Sequence, residues 1–585
     1  MCGIAGCMTL DGTTPDAALL EGLNRAQAHR GPDGSGIYRK DDVGLAHGRL
    51  AIIDLATGDQ PLFGQDGLAL IANGEIYNHV ELRTALSDVA FSTGSDCEPP
   101  LALYQRHGLD FAATLRGMYA IALHDPVRRR LVLARDPFGI KPFYYAETAG
   151  GFVFASEPQA ILATGLIERR LRLSARDELL QLQFTTGTET IFEGIHRLSP
   201  GETVAVEGGR IVERRRLAAL PAGGCDHRNA TDALGELDEI LAESVLFHQR
   251  SDVPFGMFLS GGIDSSALLA LMARLNSRPV LAFTAMFPGT GATDESRHAR
   301  LLAKAVGAEH VEVPVTERDF WDLLPAIAAS VDDPVADYAI VPTYKLAAAA
   351  RRSVKVILSG EGGDELFGGY GRYRSAMRPW PFGRQMRRHG FLEGLGLLRG
   401  ESHAWRAGFA AEADRQSGNG RTRLQSAQAL DCTDWLPNDL LIKLDRCLMA
   451  NGVEGRVPFL DPRVAAFAYR LPDSLKVRRG LGKWLLRSWL DGVLPAAQAF
   501  SAKRGFTVPV EEWIAGHPEL GGLLAEQESI REICRPGQVE SLFRAPGKKG
   551  GFAAWILLFY ALWHRCHIGN LAPQGDVFAT LSSRA

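Results

Sequence analysis

The sequence is poor in cysteine and carries little net charge. Its eight cysteines include no CxxC pair and no cysteine–histidine cluster with zinc spacing, which excludes a zinc ribbon and favours a reducing, cytoplasmic setting. The net charge of −4 over 585 residues gives no general attraction to nucleic acid or to an anionic membrane. Neither kind of partner is therefore expected.

Long apolar runs are also missing. The first ten residues lack a basic segment followed by an apolar run, so no signal peptide is expected. No stretch of about 18 apolar residues occurs, so no membrane span is predicted. The nearest approach is GFAAWILLFYALW (551–563), which is too short to span and is expected to be a buried helix.

Length and pattern indicate two domains, because a chain of this size exceeds one hydrophobic core. Residues 1–205 hold short strand signals separated by Gly, Pro and Asp, with a few helical patterns, which predicts stacked sheets covered by helices. Residues 206–235 contain clusters of Gly, Pro and charged residues and show no hydrophobic periodicity, so they are assigned to a linker. In 236–585, strands and helices alternate and then give way to helices, which predicts a mainly parallel sheet with a helical extension.

Many arginines lie in residues 372–425. A charge run of this kind is most often a solvated surface, so an exposed helical excursion is expected. Contact with an anionic ligand is the alternative.

A cysteine follows the first methionine directly. A small second residue permits methionine removal, which would leave Cys2 with both a thiol and a free α-amino group. That amine, with a pKa of about 8, could take the proton from the sulfur, so the nucleophile would need no separate histidine. A small buried thiol is the alternative for Cys2 taken alone.

Polar residues recur at strand ends and turns downstream. HGRLAIID (47–54) places Arg49 at the start of a strand, NGEIYNH (73–79) ends a strand with Asn73-Gly74, and TGSDCE puts Asp96 on a turn. Taken singly, these residues could form a surface ion pair, a tight turn and a helix N-cap, respectively.

Together and in this order, MCGIAG, HRGPDG, RLAIID, NGEIYNH and TGSDCE resemble the glutaminase motifs of class II glutamine amidotransferases. The resemblance spans about the first 160 residues and implies an N-terminal-nucleophile (Ntn) fold, an αββα sandwich of two antiparallel sheets between helices. It also implies that Cys2 attacks the side-chain amide of glutamine and releases glutamate and ammonia through a thioester. The other implied roles are an oxyanion hole from Asn73 and Gly74, an α-carboxylate clamp from Arg49, and an α-ammonium site from Glu75 and Asp96.

The stretch FLSGGIDSS (258–266) combines an apolar strand, a Gly-rich turn and a helix start. Gly261 and Gly262 permit close approach of the backbone, and the exposed N–H groups at a helix start bind anions. Three serines add hydroxyl donors, and the spacing lacks the Gly-Lys-Ser/Thr ending of a Walker A loop. A pyrophosphate-binding loop is predicted, with a plain strand–helix turn as the alternative.

Acidic residues follow a second apolar strand in VILSGEGGDELFGGY (356–370). Glu361, Asp364 and Glu365 could hold Mg²⁺ on phosphates or meet an amine nucleophile. An acid cluster at a helix N-terminus is the alternative. Further on, Lys503 and Arg504 bring cations to a loop that could face phosphate, or could be surface charge.

This second half resembles the ATP-pyrophosphatase domain of glutamine-hydrolysing asparagine synthetases over about 236–370 and 440–515. The resemblance implies that Asp264 binds Mg²⁺, with Asp364 as a further metal ligand that also holds the amino-acid substrate. Glu361 would act in forming the acyl-adenylate and in its attack by ammonia, and Lys503 would stabilise charge on the adenylate. The implied ATP-binding residues are Leu259, Ser260, Gly261, Gly262, Asp264, Ser265, Ser266, Ala285, Ser359 and Gly360.

The combined resemblance implies amidation of aspartate to asparagine, with glutamine as nitrogen donor, ATP as cosubstrate and β-aspartyl-AMP as intermediate. Departures from the family pattern at Gly455 and Pro137 keep a second function open, which is a tailoring amidotransferase acting on another carboxylate, such as a natural product, peptide or sugar acid. The intact Cys2 argues against an inactive protein that keeps only the fold. A homodimer and an interdomain ammonia tunnel are further hypotheses.

Overall fold

A computed structural model describes most of the chain. The described residues are 2–291, 295–378, 386–400, 404–418, 420–501, 507–545 and 547–583. Lys503, a predicted site residue, and its neighbour Arg504 lie outside the described residues.

Two antiparallel sheets form the N-terminal region. Their strands are β1 Gly3–Thr9, β2 Gly34–Lys40, β3 Val43–Arg49, β4 Leu62–Phe63, β5 Ala69–Ile76, β6 Gly117–Asp125, β7 Arg130–Arg135, β8 Tyr144–Thr148, β9 Gly151–Ala155, β10 His196–Arg197, β11 Glu202–Glu207 and β12 Arg210–Arg216. The first sheet has the order β10-β8-β9-β1-β3-β2, and the second has the order β12-β11-β7-β6-β5-β4. The N-terminal strand β1 therefore lies inside the first sheet, between β9 and β3.

The two sheets pack face to face, and helices cover their outer faces. The helices are α1 Ala17–Ala26, α2 His79–Ala85, α3 Pro99–His107, α4 Pro158–Leu162 and α5 Leu173–Leu182. Ile4 of the first sheet meets Ile71 of the second in a fully buried layer. Leu20 of α1 packs on the outer face of the first sheet, and Leu101 of α3 packs on that of the second. The predicted αββα sandwich is confirmed.

The predicted linker at 206–235 was wrong for its first part. Residues 210–216 form β12, which pairs with β11 and extends the second sheet, and the next helix begins at Ala230. The strand RIVERRR exposes most of its charged side chains at the edge of the sheet, and this charge concealed its alternation. The irregular stretch is limited to residues 217–229.

A five-stranded sheet organises the C-terminal region. Its strands are β13 Phe255–Phe258, β14 Leu281–Met286, β15 Glu309–Pro314, β16 Val356–Leu358 and β17 Glu454–Arg456, in the order β15-β14-β13-β16-β17. Every neighbouring pair is parallel, as predicted. Because parallel strands end at one edge, the loops after β13 and β16 meet there.

Helices surround this sheet and continue beyond it. They are α6 Ala230–His248, α7 Ile263–Leu275, α8 Ser296–Val306, α9 Glu317–Ser330, α10 Ile340–Ala350, α11 Gly363–Phe367, α12 Gly371–Ala376, α13 Arg406–Gln416, α14 Arg423–Leu430, α15 Leu441–Met449, α16 Pro462–Arg470, α17 Asp473–Lys476, α18 Trp484–Val493, α19 Val510–Ala515, α20 Leu520–Ala525, α21 Glu528–Ile533, α22 Gln538–Arg544, α23 Gly547–His567 and α24 Val577–Ser582. The apolar stretch 551–563 lies within α23, where residues 553–563 are buried as expected. In the part of the chain that is described, no helix combines the length and apolarity that a membrane span needs.

Most of the described arginines of residues 372–425 are exposed, as expected, but Arg372 is not. The guanidinium carbon of Arg372 lies 3.9 Å from the ring centroid of Tyr370 and 4.1 Å from that of Trp435. Arg372 also pairs with the buried Asp431 at 2.7 Å. Its charge is therefore used for packing against rings and for an internal ion pair.

Candidate active sites

The thiol site comprises Cys2, Arg49, Asn73, Gly74, Glu75 and Asp96. Cys2 directly precedes β1 and is buried, with 7% of its surface exposed. Its backbone nitrogen donates to Asn73 Oδ1 at 3.1 Å, and its carbonyl oxygen accepts from Arg30 Nε at 3.2 Å. Burial raises the pKa of the Cys2 thiol and so favours its protonated form. Because the thiolate is the nucleophile, a base must first remove that proton.

Asn73 and Gly74 lie in β5, and the side-chain amide of Asn73 contacts the backbone of Cys2. Asn73 Nδ2 is buried and has no hydrogen-bond partner among the described residues, although its Oδ1 is satisfied. A buried donor without a partner is unusual and is suited to an oxyanion that forms only during reaction. A Cβ on Gly74 would lie 2.2 Å from the Met118 carbonyl oxygen, so the pairing of β5 with β6 requires glycine.

Arg49 lies at the end of β3, not at the start of a strand as expected. Its Nη1 pairs with Asp59 at 2.7 Å, and its Nη2 donates to the Asp54 carbonyl at 2.5 Å. The Arg49 side chain is largely buried, whereas Asp59 is 81% exposed. An incoming carboxylate could therefore reach the guanidinium from the side that Asp59 now occupies.

Two buried carboxyl groups complete the thiol site. Asp96 accepts a hydrogen bond from the Ile76 backbone at 2.7 Å, and it does not cap α3, whose N-cap residue is Glu98. Glu75 Oε2 lies 3.3 Å from Nη2 of Arg456, which comes from β17 of the other region. Burial raises the pKa of both carboxyl groups, and Arg456 opposes the rise at Glu75.

The phosphate-loop site comprises the loops 259–262 and 359–362 together with Asp264, Asp364 and Lys483. Gly261 has a φ of 74°, and Gly262 is the N-cap of α7. The Ser260 and Ser265 hydroxyl oxygens are 3.1 Å apart, and the Ser266 hydroxyl donates to the Gly262 carbonyl at 2.7 Å. The loop therefore leaves backbone N–H groups at the start of α7 as anion donors, while the Ser266 hydroxyl is used within the loop.

The second loop packs directly on the first. A Cβ on Gly360 would lie 3.0 Å from Asp264 Cβ, and the Ser359 N–H donates to the Arg456 carbonyl at 2.8 Å. Two cavities of about 370 and 280 Å³ open here, and both are lined by Ser260, Gly262, Asp264 and Asp364. The predicted residues that line only the smaller cavity are Leu259, Ser265, Ala285, Ser359, Gly360 and Glu361.

Lys483 was missed in the sequence. Its Nζ pairs with the carboxylates of Asp264 and Asp364, the latter at 2.7 Å. Lys483 is buried, has a φ of 57° and is the N-cap of α18. The only available signal was a lone lysine beside glycine in GLGKW, far from both loops in the chain.

Lys443 of α15 was also missed. It lines the smaller cavity and pairs with Asp337 at 2.6 Å. Burial raises the pKa of Glu361, and Lys443 opposes that rise. Burial also raises the pKa of Glu365 to about 8, and Glu365 accepts a hydrogen bond from the Tyr370 hydroxyl at 2.8 Å.

The donor set at Asp264 and Asp364 fits a magnesium–nucleotide complex. No group of three or more His, Cys, Asp or Glu residues suited to a metal occurs in the described ranges. Mg²⁺ commonly uses one or two carboxylates together with substrate phosphates rather than an all-protein cage. Two carboxylates held together by Lys483 beside a phosphate loop meet that requirement.

Comparison with known proteins shows the family of each region. Residues 236–565 match the family model described as asparagine synthase, and residues 1–216 match the glutamine amidotransferase domain. The chain belongs to the asparagine synthase family. It is a ligase with a glutamine amidotransferase region, and the amidotransferase match ends at the last residue of β12.

Full-length relatives agree with this assignment. A putative asparagine synthetase [glutamine-hydrolyzing] of Mycobacterium tuberculosis is 34% identical over 98% of each chain. Asparagine synthetase B [glutamine-hydrolyzing] of Escherichia coli is 30% identical over 100% of this chain and 95% of its own. Amidase chyE of Penicillium rubens is 29% identical over 90% of this chain and 88% of its own.

Proposed function

We propose that this ligase converts aspartate to asparagine, using glutamine and ATP and releasing glutamate, AMP and pyrophosphate. The observation that carries the proposal is the presence of two complementary sites in one chain. One is a buried thiol beside an unpartnered amide donor, and the other is a phosphate loop whose acids are joined by a buried lysine.

The thiol site would release ammonia. With Met1 removed, the Cys2 amine would take the proton from the sulfur, and the thiolate would attack the side-chain carbonyl of glutamine. Asn73 Nδ2 and the Gly74 N–H would donate to the oxyanion, and water would then hydrolyse the thioester to glutamate. Arg49 would bind the α-carboxylate of glutamine, and Glu75 and Asp96 would bind its α-ammonium group.

The phosphate-loop site would activate aspartate. The β-carboxylate would attack the α-phosphorus of ATP to form β-aspartyl-AMP, and pyrophosphate would leave against the backbone N–H groups at the start of α7. Asp264 and Asp364 would hold Mg²⁺ on the phosphates, where the ion would offset negative charge. Lys483 would keep the two carboxylates in place.

Ammonia would then attack the acyl carbon, and AMP would leave. Glu361, whose pKa burial raises, would accept the proton that the attacking nitrogen loses. Free ammonia is mostly ammonium at neutral pH, so we propose that it crosses the protein interior without meeting bulk water. Dilution of labelled glutamine nitrogen by added unlabelled ammonium during turnover would contradict this transfer.

The test is a panel of carboxylic acids with [amide-¹⁵N]glutamine and Mg-ATP. Labelled asparagine, formed with AMP in equal amount, is the expected product. Amidation of another acid with aspartate left unused would favour the second candidate, a tailoring amidotransferase. The support for that candidate is a relative named an amidase, not an asparagine synthetase, which is 29% identical over 90% of this chain.

A homodimer and a cytoplasmic location are the remaining parts of the proposal. Sedimentation analysis of the full chain would check the first, and fractionation of the source cells would check the second.

A further inference from the structure

Arg30 joins the nucleophile to the other half of the molecule. It has no exposed surface, and its Nε donates to the Cys2 carbonyl at 3.2 Å. Its Nη1 and Nη2 bind the two carboxylate oxygens of Asp445, at 2.8 and 3.0 Å. This bidentate geometry fixes the plane of the guanidinium and therefore the direction of Nε.

Asp445 belongs to α15, which lies between the two sites. Lys443, two residues earlier on that helix, lines the cavity of the phosphate-loop site. Residues two apart are about 200° apart around a helix, so Lys443 and Asp445 leave α15 on opposite sides. Helix α15 thus presents the cation of Lys443 to the phosphate-loop site and the anion of Asp445 to Arg30 beside the thiol site.

The surrounding charges hold Asp445 in its ionised form. Burial favours the neutral acid, but Arg30 keeps the pKa of the Asp445 carboxyl below its usual range, with help from Arg446. Glu157 accepts from Arg30 Nη1 at 2.8 Å, and Arg446 pairs with Asp332 at 2.9 Å. Each of these buried charges has an opposite charge within hydrogen-bond distance. Removal of one partner would leave the other charge buried without compensation.

We propose that Asp445 is a positioning residue for glutamine hydrolysis, although it lies in the synthetase half of the chain. Through Arg30, it fixes the Cys2 backbone and so the direction from which the sulfur attacks. It touches neither glutamine nor the reacting atoms. This inference rests on the glutaminase half of the proposed function.

The test uses the full chain with Asp445→Asn, which keeps the shape of the side chain and removes its charge. Glutamate release is expected to lose about 10- to 100-fold in kcat with KM for glutamine nearly unchanged, because a misaligned nucleophile loses rate rather than binding. Synthesis from added ammonium is expected to stay near that of the wild type. That activity also reports that the variant is folded.

Glu243→Gln is the matched control. Glu243 accepts from Arg116 across the same boundary at 3.0 Å, but its side chain is 32% exposed. Removal of a partly exposed pair has a small effect, so both activities should be nearly unchanged. The combination of Arg30→Lys with Asp445→Asn should lose no more glutaminase activity than the worse single variant, since both act through one guanidinium.

If Asp445→Asn does not fold, Arg30→Met with Asp445→Met removes both charges of the pair, while Glu157 keeps His29 at 3.1 Å and Arg446 at 3.6 Å as partners. The same selective loss of glutamate release is expected. The inference is overturned if the Asp445 variants match Glu243→Gln, or if glutamate release and ammonium-dependent synthesis fall by the same factor. A wild-type protein that released no glutamate would overturn the proposed function as well, so the two failures are distinguishable.

Discussion

The thiol site and the phosphate-loop site are built in opposite ways. Cys2 and Asn73 are fixed by strands in the interior of the two sheets, and the hydrogen bond between them crosses from one sheet to the other. The phosphate-loop site is assembled from two loops at one sheet edge, and Lys483 and Lys443 reach it from separate helices. The nucleophile and its amide donor are placed by sheet pairing, with Arg30 and Asp445 as added support. The carboxylates of the second site are held together only through a lysine from a distant segment.

This difference predicts that each site can be disabled while the other keeps working. Cys2→Ala should show the largest effect, with glutamine hydrolysis reduced by at least about 10⁴-fold because no nucleophile remains. Synthesis from added ammonium should be retained. Parallel assays of glutamate, AMP and asparagine would measure both activities, and loss of both in a folded variant would contradict the separation of the sites.

Lys483→Met should give the mirror image. Without the lysine, Asp264 and Asp364 repel each other and the incoming phosphates, so pyrophosphate release should fall by about 10³-fold with either nitrogen source. Glutamate release should persist. Lys355→Met, which removes a partly exposed partner of Asp33, is the control and should be nearly neutral. If loss of Lys483 left pyrophosphate release unchanged, the claim that this lysine balances the charges of Asp264 and Asp364 would be wrong.

Asn73→Ala tests the unpartnered amide. Loss of an oxyanion donor should lower kcat for glutamine hydrolysis by about 10²- to 10³-fold and leave KM almost unchanged. Asn73→Asp provides a sharper comparison, because it keeps the size but replaces the donor with an acceptor. Equal kcat for the wild type and Asn73→Ala would show that Nδ2 does not serve the oxyanion.

The smallest effect concerns stability in the phosphate-loop region. Glu365 has a pKa of about 8, whereas the unfolded group has one of about 4.3. Its stabilising contribution is complete below the unfolded pKa and is lost as the pH rises through the folded pKa. Glu365→Gln should therefore raise Tm relative to the wild type by a few degrees at pH 8 and by much less at pH 5. Thermal melts at both pH values would measure this, with Glu168→Gln at an exposed position as the control.

Cys2 and Asn73, which the structure joins by a hydrogen bond, were singled out in the sequence because they fall in short motifs next to strands. The αββα sandwich follows from the same motifs and from strand spacing. The β12 strand was hidden by its charged residues, which belong to a solvent-facing edge. Arg49 was placed at the wrong end of a strand because the apolar run LAII (50–53) follows it.

The supporting residues could not be predicted in the same way. Lys483, Lys443 and Arg456 act through partners far away in the chain, and no local pattern distinguishes them from surface charge. Asp445 could not be predicted for the same reason, although it binds Arg30 beside Cys2. Three-dimensional contact supplies this information, and composition and spacing do not.

The central claim is that nitrogen released at Cys2 is captured by an AMP-activated aspartate. The direct measurement supplies [amide-¹⁵N]glutamine and aspartate labelled with ¹⁸O in its β-carboxylate, followed by mass spectrometry of all products. The account predicts ¹⁵N-asparagine that keeps one ¹⁸O, AMP that carries the other, and unlabelled pyrophosphate. Formation of ADP, or AMP without ¹⁸O, would contradict it.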